Sequence, residues 1–267
     1  LLQTAFRNPL AGPSILGIDS GASLGVAVAM MFFGGSLAMG GLSLGGYMLS
    51  IMAALAGAMA IMVLLSALNA LLRSTVMLLI TGVIISYITG SLISLLQFWA
   101  SHDGLQAYVL WGMGNFSSVS TERLPFFICL VSLGLVMALL MMKPLDALLL
   151  GDRYAQNLGV NTTRTRHMLL LATGLLSAIT TAFCGPISFI GLATPHMARF
   201  MSPSGSHRAL LPRTMALGAS IALACNLLCN LPESSVLPIN VLTPLIGAPV
   251  IVYHTLAPAL SARRRKG

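Results

Sequence analysis

The sequence predicts an all-α protein, a polytopic transmembrane helical bundle with eight membrane segments. Hydrophobic residues make up 57% of the 267 residues and charged residues only 7%, whereas soluble domains carry about 25% charge. Several apolar runs approach the roughly 20 residues that a helix needs to cross a bilayer. These runs do not alternate apolar with polar residues, as the strands of a membrane β-barrel would.

The eight segments follow from long apolar runs that are separated by turn-rich or charged breaks. Residues 1–6 have the character of a helix end, and residues 7–13 form a break with two prolines. The predicted spans lie at about 18–34, 47–70, 75–98, 124–142, 168–184, 214–231 and 237–256, with a shorter broken element at 187–199. We expect this short element to lie inside protein or beside a cavity, with Thr194 and Pro195 at the start of its helix.

The distribution of charge predicts the orientation of the bundle. Alternation of the segments places all but one of the 14 Lys and Arg residues on one side of the membrane, which the positive-inside rule makes the cytoplasm. Arg123 is the exception, and it shares the outer side with Asp103, Glu122 and Glu233. Membrane orientation therefore explains the net charge of +8 without a nucleic-acid partner. The basic run 263–266 is interpreted as an anchor at the membrane lipid.

A polar segment at residues 144–167 interrupts two apolar runs and is predicted to be a cytoplasmic loop. Its centre, residues 151–159, is predicted to form a short helix. Gly159 suits the left-handed conformation that ends a helix, and Asn161 can cap the helix that follows. A charged loop in so apolar a chain suggests a surface for a partner. An ordinary solvated loop is the alternative, and spacing alone favours it.

No enzyme constellation is visible in the sequence. The motifs HExxH and GxxxxGK[ST] do not occur, and the four cysteines lie in apolar runs without metal-ligand spacing. We predict no catalytic residue and no metal or cofactor bound by this chain. His196 and Arg199 share a helix face, which favours a structural or interface role over metal ligation. Asp19 is interpreted as a solvated interfacial residue, with a proton relay as the alternative, and a GxxxG motif at Gly41–Gly45 is weak evidence for helix pairing.

Three function classes remain for such a chain. Without a nucleotide-binding motif, the energy for uphill transport must come from a partner or from an ion gradient. Gradient-driven carriers usually carry charges well inside their spans, and the predicted spans contain none. This favours a translocation subunit that is driven by a separate protein. A gradient-driven secondary transporter is the alternative, followed by an intramembrane enzyme.

Four stretches together carry a resemblance to a known family. In chain order they are RNPLA at 7–11 with LG at 16–17 and SGA at 20–22, LGDRYAQNLG at 150–159, GPISFIGLATPHMAR at 185–199 with HRALLP at 207–212, and LPINVLTPLIGAP at 237–249. Across nearly its whole length, the chain resembles the permease subunits of the type II ABC importers for iron-siderophores, haem and cobalamin.

The resemblance implies an architecture and a set of partners. Family members have ten transmembrane helices per subunit and form homodimers in the bacterial inner membrane. Two cytoplasmic ATPase subunits, which bind ATP and Mg, contact the coupling loops, and a periplasmic or lipoprotein substrate-binding protein docks outside. The chain is thus expected to be one permease domain over 1–267, with 144–167 as its coupling loop. It would lack the family's first helix and most of the second. An iron-siderophore is the expected cargo, with a haem- or cobalamin-type chelate as the alternative.

The resemblance also implies roles for single residues. The predicted ATPase-coupling residues are Leu150, Gly151, Asp152, Ala155, Leu158 and Gly159. The predicted structural residues of the family motifs are Asn8, Pro9, Gly185, Pro186, Gly191, Pro195, His196, Arg199, Gly247 and Pro249. Ala155 and Gly159 are expected to face the ATPase closely. Many relatives carry a basic docking residue near the outer end of the penultimate span, but residues 226–233 contain none, so Arg123 is predicted to dock the binding protein.

Overall fold

Helices account for the regular structure of this chain, as predicted. The structure is a computed structural model, and it describes residues 1–9, 11–38, 44–72, 75–201, 205–231, 237–249 and 252. Within these ranges there is no β-strand. The helices are α1 (Leu2–Ala5), α2 (Ile18–Ala38), α3 (Leu44–Leu72), α4 (Thr75–Trp99), α5 (His102–Gly112), α6 (Leu124–Leu140), α7 (Met142–Leu149), α8 (Asp152–Asn157), α9 (Thr162–Cys184), α10 (Ile190–Met201), α11 (His207–Cys229) and α12 (Ile239–Pro249).

Each of the eight predicted segments corresponds to a helix, although the helices differ in length. Four of them, α3, α4, α9 and α11, are long and apolar enough to cross a membrane alone. The pair α6 and α7 is bent by 44° at a short break and makes a fifth candidate if it is one span. Helix α12 and the apolar part of α2 are shorter. The chain is thus a multi-pass membrane protein, and the count of eight crossings stays a prediction.

Two helices begin earlier than the apolar runs indicated, because polar residues extend them. Helix α9 starts at Thr162 and not near 168, and the Asn161 side chain accepts a hydrogen bond from the Arg164 amide at 2.9 Å. This confirms the predicted cap. Helix α11 starts at His207 rather than 214, behind a Ser206 cap. Helix α5 lies between the predicted spans 75–98 and 124–142, in a polar segment for which the sequence predicts no membrane span.

The start predicted for α10 is wrong. The helix begins at Ile190, so Pro195 lies inside it and Thr194 is not its cap. The Thr194 hydroxyl instead donates a hydrogen bond to the Ile190 carbonyl at 2.8 Å. Proline has no backbone N–H and cannot make the hydrogen bond expected inside a helix. The residues on both sides of Pro195 are nevertheless helical.

The chain divides into two compact units, residues 1–186 and 187–267. In the first unit α2 is central and packs against α3, α4, α5 and α9. The contact with α3 is backbone to backbone, because a Cβ on Gly57 would overlap the Gly21 carbonyl oxygen and one on Gly25 would overlap Ala53. Small residues that let helices approach closely are typical of membrane bundles. The residues at 21–25 fit GxxxG, whereas Gly41 of the motif singled out at 41–45 lies outside the described residues.

The predicted outer end of the first unit is built by α5 and the turn that follows it. A Cβ on Gly104 would lie 2.8 Å from the Met30 carbonyl oxygen, so α5 sits directly on α2. The Asn115 amide donates to the Cys184 carbonyl at 2.8 Å, which holds the end of α9 against this turn. Gly185 has φ +77 and would meet the Trp111 carbonyl if it had a side chain. Glycine is therefore required there.

The second unit is organised by the segment that leads into α10. Phe189 adopts φ +69, which is rare for a residue with a large side chain. The Ser188 amide beside it donates to the Asn240 side chain at 3.2 Å. A Cβ on Gly247 would lie 3.1 Å from the Phe189 Cβ, so α12 packs closely on this turn. The strained turn, Asn240 and Gly247 thus form one structural motif. The single permease domain over 1–267 stays a prediction.

Candidate functional site

The polar segment between α6 and α9 folds into two short helices joined by a sharp corner. Helix α7 ends at Leu149, and Gly151 adopts φ +116 at the start of α8. Helix α8 ends at Asn157, and Gly159, two residues later, adopts φ +81. The Val160 amide donates to the Ala155 carbonyl and the Gly159 amide to the Gln156 carbonyl, both at 2.9 Å. This is the hydrogen-bond pattern of a Schellman motif, and it confirms the predicted short helix between two glycines.

One face of this segment is apolar and open to solvent. Leu149, Leu150, Tyr154 and Leu158 are all exposed, and they follow one another around the corner between α7 and α8. Large apolar side chains that collect on a polar loop indicate a surface for another protein. We call these four residues the apolar face. It includes two of the predicted coupling residues, Leu150 and Leu158.

Ala155 does not belong to this face, so the prediction that it lies directly against a partner is wrong. Its side chain is 0% exposed, and α8 packs against α7 and α9. Leu148 is buried as well. The helix uses its small residue to approach its neighbours, because a larger side chain would lift it from α7 and α9. Ala155 therefore positions the apolar face from behind, and Gly159 remains on the exposed side.

Asp152 joins α8 to two distant parts of the chain. Its carboxylate accepts a hydrogen bond from the Arg166 guanidinium of α9 at 2.8 Å and another from the Arg7 guanidinium at 3.1 Å. Arg7 follows α1 and adopts φ +46. The position of Asp152 in the first turn of α8 suits the helix dipole. These contacts fix the corner relative to the first residue of the RNPLA motif.

A shallow cavity of about 510 Å³ opens beside this ion pair. It is lined by Arg7, Leu150, Gly151, Asp152, Arg153, Tyr154 and Asn157. The cavity combines two guanidinium groups, one carboxylate and the edge of the apolar face. A protruding helix or loop of another protein fits such a mixture better than an apolar ligand does.

We expect Asp152→Ala to loosen the corner while leaving the rest of the fold intact. Loss of both pairs should lower the free energy of unfolding by about 1 kcal/mol, because the groups are partly exposed and screened by water. Hydrogen exchange of the α8 amides should rise, and the difference should shrink at high salt. Arg153→Ala removes an exposed arginine on the same helix without breaking these pairs. Equal exchange rates in both variants would contradict the role of Asp152.

A second polar cluster surrounds Asp19 in the first turn of α2. Its carboxylate accepts hydrogen bonds from the Ser14, Ser177 and Thr181 hydroxyls, the first at 2.7 Å and the last at 3.4 Å. Ser177 lies about 22 Å along α9 from Thr162, deep in a predicted span. Asp19 is only half-buried, so these hydroxyl contacts add to its interpretation as a solvated interfacial residue, which stays a prediction. Sequence reasoning missed these contacts because Asp19 stands at the start of its own helix and its partners are distant in the chain.

We expect Asp19→Ala to destabilise the bundle by about 1–3 kcal/mol, because it removes the acceptor of three hydroxyl groups, of which Ser177 and Thr181 lie within α9. Thermal unfolding in mild detergent measures the effect. Asp103→Ala is the matched control, since Asp103 is an exposed carboxylate in the first turn of α5. An equal loss in the two variants would show that the hydroxyl contacts contribute nothing beyond a helix-dipole effect.

The other predicted residues occupy structural positions. Arg123 is half-buried and directly precedes α6. Asn8 lies in the turn after α1, where its backbone N–H donates a hydrogen bond to the backbone carbonyl of Gln3 at 3.1 Å. A Cβ on Gly191 would meet no atom within 4 Å, so no steric contact explains why position 191 is a glycine. The remaining predicted motif residues lie in the turn after α1, at the end of α9, or in α10 and α12: Pro9, Pro186, His196, Arg199 and Pro249. In the part of the chain that the structure describes, no cluster of three metal-ligating side chains occurs.

Comparison with known proteins gives consistent results. The chain matches the model of the FecCD transport family over residues 1–257. It is 35% identical over 257 residues to the vitamin B12 import system permease protein BtuC of Klebsiella pneumoniae subsp. pneumoniae, covering 96% of this chain and 75% of that one. The molybdate import system permease protein MolB of Haemophilus influenzae is also 35% identical over 257 residues, with 95% and 73% covered. A solved structure, described as a metal-chelate type ABC transporter in an inward-facing conformation, has a TM-score of 0.85 and 32% identity, and the match covers 96% of this chain and 79% of that chain.

Proposed function

Since the chain belongs to the FecCD transport family, whose model matches residues 1–257, we propose that it is the transmembrane permease subunit of an ATP-binding-cassette importer. Such a subunit forms the path for the cargo and has no catalytic site of its own. The energy comes from ATP and Mg bound by a separate ATPase subunit. The proposed location is the bacterial inner membrane.

The observation that carries this proposal is the corner between α7 and α8. An ATPase can drive a membrane path only through a rigid connection to the spans. Two short helices with positive-φ glycines at their ends form such a connection, and the Asp152 ion pairs tie it to α9. The apolar face supplies exposed side chains for a partner's groove. The side that faces the partner is the cytoplasmic one, by the positive-inside rule.

The proposed assembly contains a second copy of the chain, two ATPase subunits and an external substrate-binding protein. The relatives are named as permease proteins of import systems, which supports an importer rather than an exporter. Arg123 is the proposed contact for acidic residues of the binding protein. Its charge reversal should lower the affinity of that protein for the complex, whereas reversal of Arg153 on the opposite side should not.

The proposed cargo is an iron-siderophore or a chelate of similar size. Iron-siderophore import looks like the commonest role in the family that the chain resembles, and the name of the structural relative, a metal-chelate type transporter, is compatible with it. The names of the sequence relatives supply the two alternatives, vitamin B12 and molybdate. Vitamin B12 is itself a large metal chelate, whereas molybdate is a small oxyanion. Size and charge therefore separate the candidates in an uptake experiment.

The test is purification of the chain with its partners in mild detergent, followed by reconstitution into vesicles. We expect a stoichiometric ATPase with a Walker motif to co-purify. With the cognate binding protein outside and ATP inside, a ferric siderophore should enter, and cobalamin and molybdate should not. Entry of another of these cargoes would replace the siderophore in the proposal. A folded, monodisperse preparation that contains no ATPase would overturn the importer itself.

A gradient-driven secondary transporter is the second candidate, and the Asp19 cluster is the observation that favours it. A carboxylate with hydroxyl partners inside a bundle is a common feature of ion-coupled carriers. Uptake by such a carrier would collapse when an uncoupler is added and would need no ATPase. The proposed importer would keep its uptake under the same treatment as long as ATP is supplied.

A further inference from the structure

A second cavity, of about 540 Å³, lies at the bend between α6 and α7. It is lined by Met137, Leu140, Met141, Pro144, Gly159, Val160, Asn161, Arg164, Thr165 and Met168, and we call it the bend groove. Its volume falls in the range of small-molecule sites. Most of the lining is apolar, and its three methionines adapt easily to flexible ligands. The proposed function uses Gly159 of this lining but not the cavity itself or its arginine.

The bend groove lies where two spans meet the membrane surface. Helix α6 brings an apolar run that ends at Met142, and the first charged residue after it is Lys143. Helix α9 carries Arg164 in its first turn, and its apolar run starts at Met168. The groove therefore extends from hydrocarbon depth, at Met137 and Met168, to headgroup depth, at Arg164. The charge distribution places this end of both helices at the cytoplasmic leaflet.

The charge at the mouth of the groove is positive, and no salt bridge within the described ranges neutralises it. Arg164 is exposed, and within the described ranges the only salt bridges join Asp152 to Arg7 and to Arg166. Lys143 is exposed too, one residue before the groove-lining Pro144. A guanidinium can hold a phosphate through two parallel hydrogen bonds. The occupant should thus combine a negative headgroup with a flexible apolar chain.

We infer that the bend groove binds one anionic phospholipid of the cytoplasmic leaflet. The acyl chain lies along the apolar lining, and the phosphate contacts Arg164. Basic pockets between transmembrane helices on the cytoplasmic side suit such lipids. The groove also includes Gly159, Val160 and Asn161, the residues that end α8 and cap α9. A bound lipid would therefore fill the space beneath the joint between these helices.

The test is native mass spectrometry of the full chain in detergent, titrated with phosphatidylglycerol. We expect Arg164→Glu to weaken binding of this lipid at least about fivefold, since each basic residue near the surface contributes about that factor. Arg213→Glu is the matched control, because Arg213 is another exposed arginine on the predicted cytoplasmic side but does not line the groove. Met168→Trp, which fills the groove and keeps the charge, should weaken binding as well.

Two further arms make the result decisive. Phosphatidylcholine should bind more weakly than phosphatidylglycerol, and inorganic phosphate should not displace the lipid. Should Arg164→Glu fail to fold, Arg164→Gln removes the charge with a smaller change. Equal phosphatidylglycerol affinity in the Arg164 and Arg213 variants would overturn the inference. Equal binding of phosphatidylcholine would do the same, and displacement by phosphate would show an anion site without a lipid.

Discussion

Replacing Gly57 with alanine is expected to lower the free energy of unfolding by about 3 kcal/mol, one of the two largest effects that we predict. The added Cβ would overlap the carbonyl oxygen of Gly21 in the facing helix. A backbone carbonyl cannot move aside without shifting α2, which packs against α3, α4, α5 and α9. The clash would therefore be felt throughout the first unit. Thermal unfolding in mild detergent should show a fall in Tm of several degrees.

Gly90→Ala provides the control for this prediction. Gly90 lies on an exposed position of α4, and a Cβ there meets no atom within 4 Å. Since alanine favours a helix over glycine by roughly 0.5–1 kcal/mol, this variant should be as stable as the original chain or slightly more so. If Gly57→Ala and Gly90→Ala unfold at the same temperature, the close contact between α2 and α3 does not determine stability.

The local features of the fold were predictable from the sequence because nearby residues determine them. The left-handed Gly159 and the Asn161 cap both follow from short-range backbone geometry, and both are confirmed. The apolar runs indicated the membrane helices for the same reason. Polar first turns were harder, since His207 and Thr162 start helices that continue outside the apolar run. The hydropathy pattern indicates the part of a helix that lies in the membrane, whereas capping residues such as Asn161 and Ser206 indicate where the helix begins.

Contacts between distant segments could not be predicted in this way. Nothing local to Asp152 indicates that Arg7, 145 residues earlier, is its partner. Asp19 begins a helix, and nothing local to it indicates its contact with the middle of α9. The resemblance to the family implies that Ala155 faces a partner, but the side chain is buried against the neighbouring helices. In each case the packing of the neighbouring helices determines the contacts of the residue, and the local sequence pattern does not indicate that packing.

The exposed position of Leu158 leads to the second large prediction. Leu158→Lys should weaken binding of the purified ATPase at least about tenfold and abolish ATP-driven uptake, because a charge would replace an apolar contact of the interface. The stability of the chain itself should not change. Leu158 is 57% exposed, and it is the C-cap of α8, where a positive charge agrees with the helix dipole. Binding measured with the detergent-purified complex separates these two effects.

Leu110→Lys is the matched variant, since Leu110 is 60% exposed and lies on α5, at the predicted outer side. It introduces the same charge at an equally open leucine, far along the chain from the corner. We expect it to bind the ATPase like the original chain. If the two variants bind equally well, the apolar face is not the site of contact, and the ATPase must engage other cytoplasmic residues. If only Leu158→Lys loses binding of the ATPase, and Leu158→Met binds it like the original chain, the partner recognises the apolar character of this position.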